Sequence, residues 1–192
     1  MRLETARLVL RDLDAADWEA VLAYQSSPLY LRYYSWASRT PEDVQEFTRR
    51  LGALNRDRPR RCYSFAITLP ESDRAIGLVS LRRRVGDPHQ AEVGYELAPE
   101  HWGQGLATEA ACRLVGLGFS SLGLHRITAT CVAENTGSAR VLAKVGMSLE
   151  GRLRENEYFK GRWWDTLLYG VLRHEWGGER CGQGTAAVAS LE

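Results

Sequence analysis

The sequence predicts a single domain of the α/β class. Its 192 residues suffice for one sizeable core and are few for two domains. With 44% hydrophobic and 26% charged residues, the chain has the composition of an ordinary globular protein rather than a disordered or fibrous one. Helical and extended hydrophobic patterns follow one another up to residue 176. We therefore expect one folded domain over residues 1–176.

The first predicted elements are a strand at 7–13 and two helices. The strand shows a weak alternation of apolar and polar residues, and Asp14 after it is a suitable cap for the first helix. Thr40 followed by Pro41 predicts the start of the second helix, because proline suits the first helical position. Both helices are expected to pack on a sheet formed by the strands.

A run of strands follows, separated by short turn clusters. These strands are predicted at 62–69, 75–85 and 90–97, joined as an antiparallel meander. The later elements are a helix from a glycine-rich turn to about residue 121, a strand at 125–132, a helix at 136–145 and a hairpin over 153–172. Residues 177–192 are small and polar, and we expect a disordered tail that ends in vector-derived residues.

Charge and residue spacing exclude several classes of function. The formal net charge of +1 gives no global attraction to nucleic acids or acidic membranes. No apolar run is long enough to span a bilayer, and the N-terminus lacks the apolar core of a signal peptide. The four cysteines and four histidines show no metal-ligand spacing. We expect a cytoplasmic protein with no metal, no membrane partner and no specific nucleic-acid partner.

A glycine-rich turn carries the most information about function. The run from Trp102 to Ala110 follows a predicted strand, contains Gly103 and Gly105, and opens a helix. Such a turn exposes backbone N–H groups at the positive end of a helix dipole, which suits a pyrophosphate. A tight strand-to-helix connection without a ligand would show the same glycines. Neither the lysine of a P-loop nor the N-terminal strand of a dinucleotide-binding fold accompanies this turn.

The run resembles the acetyl-CoA signature of GNAT acetyltransferases, Arg/Gln-x-x-Gly-x-Gly/Ala, here Trp102, Gly105 and Ala107. Trp at the first position departs from the general consensus and is typical of the ribosomal-protein N-terminal (alanine/serine) acetyltransferase branch. A second block, from Asn135 to Gly151, resembles the Asn-x-x-Ser helix and following turn of that branch. The resemblance spans residues 3–176 and implies a GNAT fold with a mixed, mainly antiparallel sheet of about seven strands flanked by about four helices.

The resemblance implies transfer of acetyl from acetyl-CoA to a primary amine by direct attack in a ternary complex. A protein N-terminal α-amine is the first acceptor to consider. The backbone amides expected to hold the pyrophosphate are those of Gln104, Gly105, Leu106, Ala107 and Thr108. The pantetheine arm is expected between the strands at 92–97 and 126–132, where unpaired strand edges can bond its amides.

Two polar residues on one predicted helix are further candidates for the cofactor site. Asn135 and Ser138 share a stripe with Leu142, and both are expected to contact the cofactor. Leu142 stands where many GNAT enzymes have a tyrosine acid, so the resemblance assigns Ser138 to the acetyl or thiol end. The alternatives are a helix cap for Asn135 and a hydroxyl bonded to its own helix for Ser138.

The general base is expected to be one of two glutamates. Glu157 follows Ser138 at the distance at which the ribosomal-protein branch carries a catalytic glutamate, and Glu92 lies near the position that histone-type relatives use. A lone glutamate in a strand is also commonly a solvated surface residue. Because a peptide α-amine has a pKa near 8, a carboxylate that takes its proton through water would suffice. We favour Glu157.

Three other functions stay open at this level. The acceptor could be a small amine, such as an antibiotic, polyamine or amino acid, since acceptor choice is expected to depend on the connection at 26–39. A non-catalytic CoA-binding module and an RNA-associated protein that uses the arginine runs at 58–61 and 82–84 are the others. The resemblance also implies a homodimer as an expectation.

Overall fold

The computed structural model describes residues 1–177, which form eight strands and five α-helices. The strands are β1 (Arg2–Glu4), β2 (Val9–Asp12), β3 (Cys62–Leu69), β4 (Ser72–Arg84), β5 (Asp87–Leu97), β6 (Arg126–Val132), β7 (Ser148–Phe159) and β8 (Arg162–Leu172). The helices are α1 (Trp18–Gln25), α2 (Pro28–Leu31), α3 (Pro41–Arg56), α4 (Leu106–Ser120) and α5 (Thr136–Val145). The expected tail, except for residue 177, lies outside the described residues.

The eight strands form one mixed sheet in the order β1-β2-β3-β4-β5-β6-β8-β7. All neighbouring pairs are antiparallel except β5 and β6. This confirms the predicted mixed, mainly antiparallel sheet. The sheet exceeds the expected seven strands by β1, which has three residues and is too short to show an alternating pattern. The one-turn α2 likewise raises the helices from the expected four to five.

Helix α4 packs closely against one face of the sheet. Leu114 on α4 and Ile127 on β6 are fully buried in the same core. A methyl group added at Gly118 would lie 2.8 Å from Cδ1 of Ile127, so glycine permits this close approach. The absence of a side chain at Gly118 therefore allows α4 to lie close to β6.

The opposite face of the sheet is covered by α1 and α3. Val21 of α1 and Val44 of α3 are fully buried against Ala66 of β3. Helix α3 begins where the sequence predicts, because the Thr40 side chain accepts a hydrogen bond from the backbone N–H of Asp43 (3.2 Å). The Asp43 carboxylate accepts one from the N–H of Thr40 in return (3.0 Å).

The closing hairpin runs from β7 to β8, as predicted. It turns at Lys160 and Gly161, which both have positive φ. Strand β7 starts at Ser148, five residues before the predicted start at 153. The pairing of β7 with β8 shifts register between Leu149 and Gly151, and this irregularity breaks the alternation that would reveal the strand. No helix within residues 1–177 is long and apolar enough to cross a membrane.

Candidate active site

The glycine-rich turn presents free amides to a large cavity. Helix α4 begins immediately after Gly105, which has a φ of 81° and provides no side-chain cap. The first amides of a helix have no partner within it, so those of Leu106, Ala107 and Thr108 are available to an anion. All four residues line a cavity of about 950 Å³. Gln104 belongs to the turn but does not line this cavity, and its side chain donates to the Glu100 carbonyl (3.2 Å).

The turn is held from behind by a network that the sequence patterns do not reveal. The Arg7 guanidinium donates to the carbonyl of Gln104 (2.9 Å) and to the Glu109 carboxylate (2.8 Å). Thr5 donates to the same carboxylate (2.6 Å). Burial raises the pKa of Glu109, but these hydrogen bonds and the Arg7 charge outweigh it and hold the pKa below its ordinary value. The N-terminal segment thus fixes the conformation of the turn.

Strands β5 and β6 separate next to the turn. Their parallel pairing ends at Glu92 and Thr128 within the described chain. Beyond this point β5 pairs only with β4, and β6 pairs only with β8, so two strand edges with free backbone groups face each other. Residues 95–97 of β5 and 130–132 of β6 line the cavity there. An extended chain of amides can lie in this opening as an added strand.

Ser138 of α5 reaches the cavity from the side of β6. Its Oγ lies 2.8 Å from the Tyr95 hydroxyl, and that hydroxyl also donates to the Ser138 carbonyl (3.0 Å). A phenol has one hydrogen, so when Tyr95 donates to the carbonyl, the Ser138 hydroxyl is the donor between the two hydroxyls, and when Tyr95 donates to Oγ, Ser138 is the acceptor. Burial raises the pKa of Tyr95 above its ordinary value, so the phenol stays protonated at neutral pH. Tyr95 is a site residue that the sequence analysis placed only in a strand.

Asn135 caps helix α5. Its side-chain oxygen accepts from the backbone N–H of Ser138 (3.1 Å), as the alternative interpretation expects. Both residues also line the cavity. Leu142 is fully buried in the core and provides no polar group.

The two candidate bases occupy different positions. Glu157 lines the cavity and accepts a hydrogen bond from the Thr166 hydroxyl (3.0 Å). A register shift between Leu153 and Glu157 precedes it on β7. Both glutamates are exposed, but Glu92 contacts the Thr130 hydroxyl at 3.4 Å and does not line this cavity. The structure therefore brings Glu157, and not Glu92, into one cavity with Ser138 and the turn.

A second carboxylate, Glu96, lies in the same cavity as Glu157 and is not among the residues predicted from the sequence. It is on β5 and accepts hydrogen bonds from Tyr24 (2.6 Å) and Gln25 (2.8 Å) of α1 and from the Tyr30 hydroxyl of α2. The signal in the sequence is a single polar residue at the apolar end of a strand that leads to the turn, between Tyr95 and Leu97. That signal alone does not separate a site residue from a surface residue.

The outer wall of the cavity is formed by the segment after α2. Tyr33, Tyr34 and Trp36 line it. They belong to the connection at 26–39, on which acceptor choice is expected to depend. Tyr34 stacks on Tyr30 with ring centroids 4.6 Å apart, and Trp36 stacks on Tyr34 at 4.8 Å. Among residues 1–177, no group of three or more His, Cys, Asp or Glu side chains is arranged to hold a metal ion.

Comparisons with known proteins agree with this geometry. A model of the family described as "Acetyltransferase (GNAT) domain" matches residues 7–148. An uncharacterized N-acetyltransferase of Bacillus subtilis, YnaD, is 33% identical over 176 residues, which cover 92% of this chain and 99% of that protein. The [ribosomal protein uS5]-alanine N-acetyltransferase of Escherichia coli is 27% identical over 184 residues, 92% of this chain and 93% of that protein.

A solved structure supports the same assignment. The acetyltransferase (GNAT family) from Bacillus anthracis superimposes with a TM-score of 0.79 at 32% sequence identity, covering 91% of this chain and 99% of that one. The residues that the family model matches, 7–148, include the glycine-rich turn, strands β5 and β6 and helix α5. The chain therefore belongs to the GNAT family and is an acetyl-CoA-dependent N-acetyltransferase.

Proposed function

We propose that this acetyltransferase acts on the N-terminal α-amine of a protein or peptide, by direct attack in a ternary complex. The observation that carries the proposal is the single cavity of about 950 Å³ that joins the anion-binding turn, Ser138, Glu157 and the aromatic segment at 33–36. A cavity of this size has room for a cofactor arm together with the end of an acceptor chain. Relatives named as ribosomal-protein alanine and serine acetyltransferases support a protein terminus as acceptor.

The cofactor residues follow from the free backbone groups of the site. The amides of Gly105, Leu106, Ala107 and Thr108 hold the pyrophosphate, with Gln104 completing the turn. The separated edges of β5 and β6 hold the amides of the pantetheine arm. Asn135 uses its oxygen as a helix cap and keeps its amide nitrogen for the arm. Acetyl-CoA, when bound, supplies the thioester carbonyl that the acceptor nitrogen attacks.

Ser138 supplies a proton to the sulfur as the carbon–sulfur bond breaks. Its Oγ lies 2.8 Å from the Tyr95 oxygen, and its hydrogen would point to the sulfur when the cofactor is present. Tyr95 stays protonated because its pKa is raised by burial, so it can pass its proton to Ser138 and then recover one from the water of the cavity. This pair takes the place of the tyrosine acid that Leu142 cannot provide.

Glu157 removes the proton from the acceptor. Its carboxylate faces the cavity and has one described hydrogen-bond donor, Thr166, which orients it. An α-amine with a pKa near 8 is partly neutral at physiological pH, so the carboxylate needs only to take the proton released as the nitrogen–carbon bond forms. Glu92 is the second candidate, and its position outside the cavity favours Glu157.

An acetyl-transfer assay with a panel of peptides and small amines tests the proposal. Peptides with a free N-terminus should be acetylated with a higher kcat/KM than polyamines, amino acids or N-terminally blocked peptides that contain lysine. Glu157→Gln should lower kcat by about a hundredfold or more, and Glu92→Gln should change it by less than about threefold. Preference for small amines would overturn the acceptor. Full activity in Glu157→Gln would overturn the base.

A further inference from the structure

The Glu96 carboxylate lies at the acceptor side of the cavity. Alternate residues of β5 point to opposite faces of the sheet, so Glu96 faces α1 and α2, whereas Tyr95 faces α5 and the thiol end. One oxygen of Glu96 accepts from both Tyr24 and Gln25, and the other accepts from Tyr30. The carboxylate is therefore fixed in one orientation beside the expected path of the acceptor.

The charge of Glu96 has no cationic partner within residues 1–177. Its three donors are two phenols and an amide, all neutral. The other shielded carboxylates of the site and its surroundings are paired: Asp17 with Arg11, and Glu109 with Arg7. A shielded carboxylate normally has a cation as partner, because removing a charge from water is unfavourable. Glu96 instead presents its charge to the cavity.

The carboxylate also retains a place for one more donor. Two carboxylate oxygens offer about four acceptor positions in total. The hydrogen bonds from Tyr24, Gln25 and Tyr30 use two positions on Oε1 and one on Oε2. The fourth position, on Oε2, remains for a further donor, and the nearby Tyr34 hydroxyl also interacts with this carboxylate. An incoming N–H group can therefore bind without displacing Tyr24, Gln25 or Tyr30.

The surroundings of Glu96 strengthen its attraction for a cation. Tyr30, Tyr34 and Trp36 form a continuous stack beside it, and Arg39 covers the outer ring at 5.0 Å from the Trp36 centroid. Arg39 also donates to the Gln25 oxygen (3.2 Å), which closes a ring of contacts back to Glu96. This layer covers one side of the half-buried carboxylate, and an ion pair is stronger where the effective dielectric constant is lower than in bulk water.

We propose that Glu96 is the specificity-determining residue that receives the acceptor as a protonated primary amine. The ammonium group binds the open position on Oε2 and releases one proton to the water of the cavity. The neutral nitrogen then attacks the thioester and loses its second proton to Glu157 as the amide forms. Glu96 gains and loses no proton in this scheme. The inference rests on the proposed acceptor site, and it extends that proposal by naming the residue that selects a cation over a neutral molecule of the same shape.

The test measures binding without turnover. The complex of the full chain with free CoA is titrated with n-butylammonium and with 1-butanol, a neutral molecule of nearly the same shape, and tryptophan fluorescence or calorimetry reports binding. The wild-type protein should bind n-butylammonium about tenfold more tightly than 1-butanol at pH 7. Glu96→Gln should reduce this ratio to about twofold or less while CoA affinity is unchanged.

Two matched variants separate the effect of the Glu96 charge from an effect on the structure of the site. Tyr30→Phe removes a donor to Glu96 and loosens α2 but keeps the negative charge, so it should keep the preference. Glu157→Gln removes the other cavity carboxylate and should keep most of it. Three results would overturn the inference. The first is equal affinity of the wild-type protein for n-butylammonium and 1-butanol, and the second is a preference for n-butylammonium that Glu96→Gln retains. The third is a loss of this preference in Tyr30→Phe or Glu157→Gln as large as that in Glu96→Gln. The wild-type and Glu157→Gln results do not depend on the folding of Glu96→Gln.

The binding experiment and the acetyl-transfer assay can fail separately. If the protein prefers n-butylammonium through Glu96 but acetylates no peptide, the inference about Glu96 stands and the proposed N-terminal acceptor is wrong. If the protein acetylates peptides but shows no preference for n-butylammonium, the N-terminal acceptor stands and the inference about Glu96 is wrong.

Discussion

Replacing Gly105 by alanine tests whether the conformation of the turn controls cofactor binding. Gly105 has a φ of 81°, a left-handed conformation that an L-residue adopts at a cost of about 1–2 kcal/mol. The added methyl group would lie 3.5 Å from the nearest guanidinium nitrogen of Arg7, an ordinary contact distance. Steric overlap is therefore absent, and the effect of Gly105→Ala comes from backbone strain alone.

This strain can appear in two measurable ways. If the turn keeps its conformation, the free energy of unfolding falls by about 1–2 kcal/mol. If the turn relaxes, the amides of residues 106–108 move, and acetyl-CoA binding must restore the strained conformation. The same 1–2 kcal/mol then weakens binding by about 5- to 30-fold. We expect a lower stability of the free protein, a weaker affinity for acetyl-CoA, or both.

Gly86→Ala is the matched control. Gly86 has the same φ of 81°, no heavy atom within 4 Å of an added methyl group, and a position in the turn between β4 and β5 away from the cavity. It should lose similar stability in urea unfolding and retain wild-type affinity in calorimetry with acetyl-CoA. If Gly105→Ala and Gly86→Ala bind acetyl-CoA equally well and Gly105→Ala is as stable as the wild type, the turn does not grip the pyrophosphate as argued.

Three further changes have defined outcomes. Ser138→Ala should lower kcat by about tenfold or more with little change in the KM for acetyl-CoA, and Tyr95→Phe should have a smaller effect on kcat, both measured by thiol release. The pKa of Glu109 is lowered on folding, so its charged form stabilises the protein above the ordinary glutamate pKa, and this stability disappears as the pH falls through the folded-state pKa. Urea unfolding should therefore show a smaller loss of stability on acidification in Glu109→Gln than in the wild type. Gly118→Val should destabilise the protein by about 1–3 kcal/mol, because its methyl groups would overlap Ile127, and thermal unfolding measures this.

Local sequence patterns predict the bounds of a helix or strand correctly where the element depends on its own residues. The predicted strand at 62–69 and helix at 136–145 have the observed bounds, since each combines a clear hydrophobic pattern with a turn or cap at both ends. β1 is different: its three residues are ordered by pairing Leu3 with Leu10, a contact that forms only in the folded chain. Elements of this kind cannot be predicted from local sequence.

In the candidate site, too, features encoded by neighbouring residues are predicted from the sequence, and features that depend on distant residues are not. The turn at 103–105 was predicted because a glycine signal, a strand and a helix occur together within a few residues. Glu96 was missed because its donors Tyr24, Gln25 and Tyr30 are 66 to 72 residues away along the chain. The choice between Glu92 and Glu157 was open for a related reason, since it depends on where β5 and β6 separate.

The single parallel pair within the described sheet explains why these features meet. A parallel connection from β5 to β6 requires a crossover, and α4 provides it. The N-terminus of α4 must then lie at the carboxyl end of β5, where ligands of sheets with parallel strands usually bind. Because β5 and β6 also separate towards this end, the anion-binding turn opens directly onto two free strand edges. The topology thus provides the proposed positions of the diphosphate and the thioester arm without using any side chain of the proposed acceptor site, which leaves residues such as Glu96 to define the acceptor as proposed.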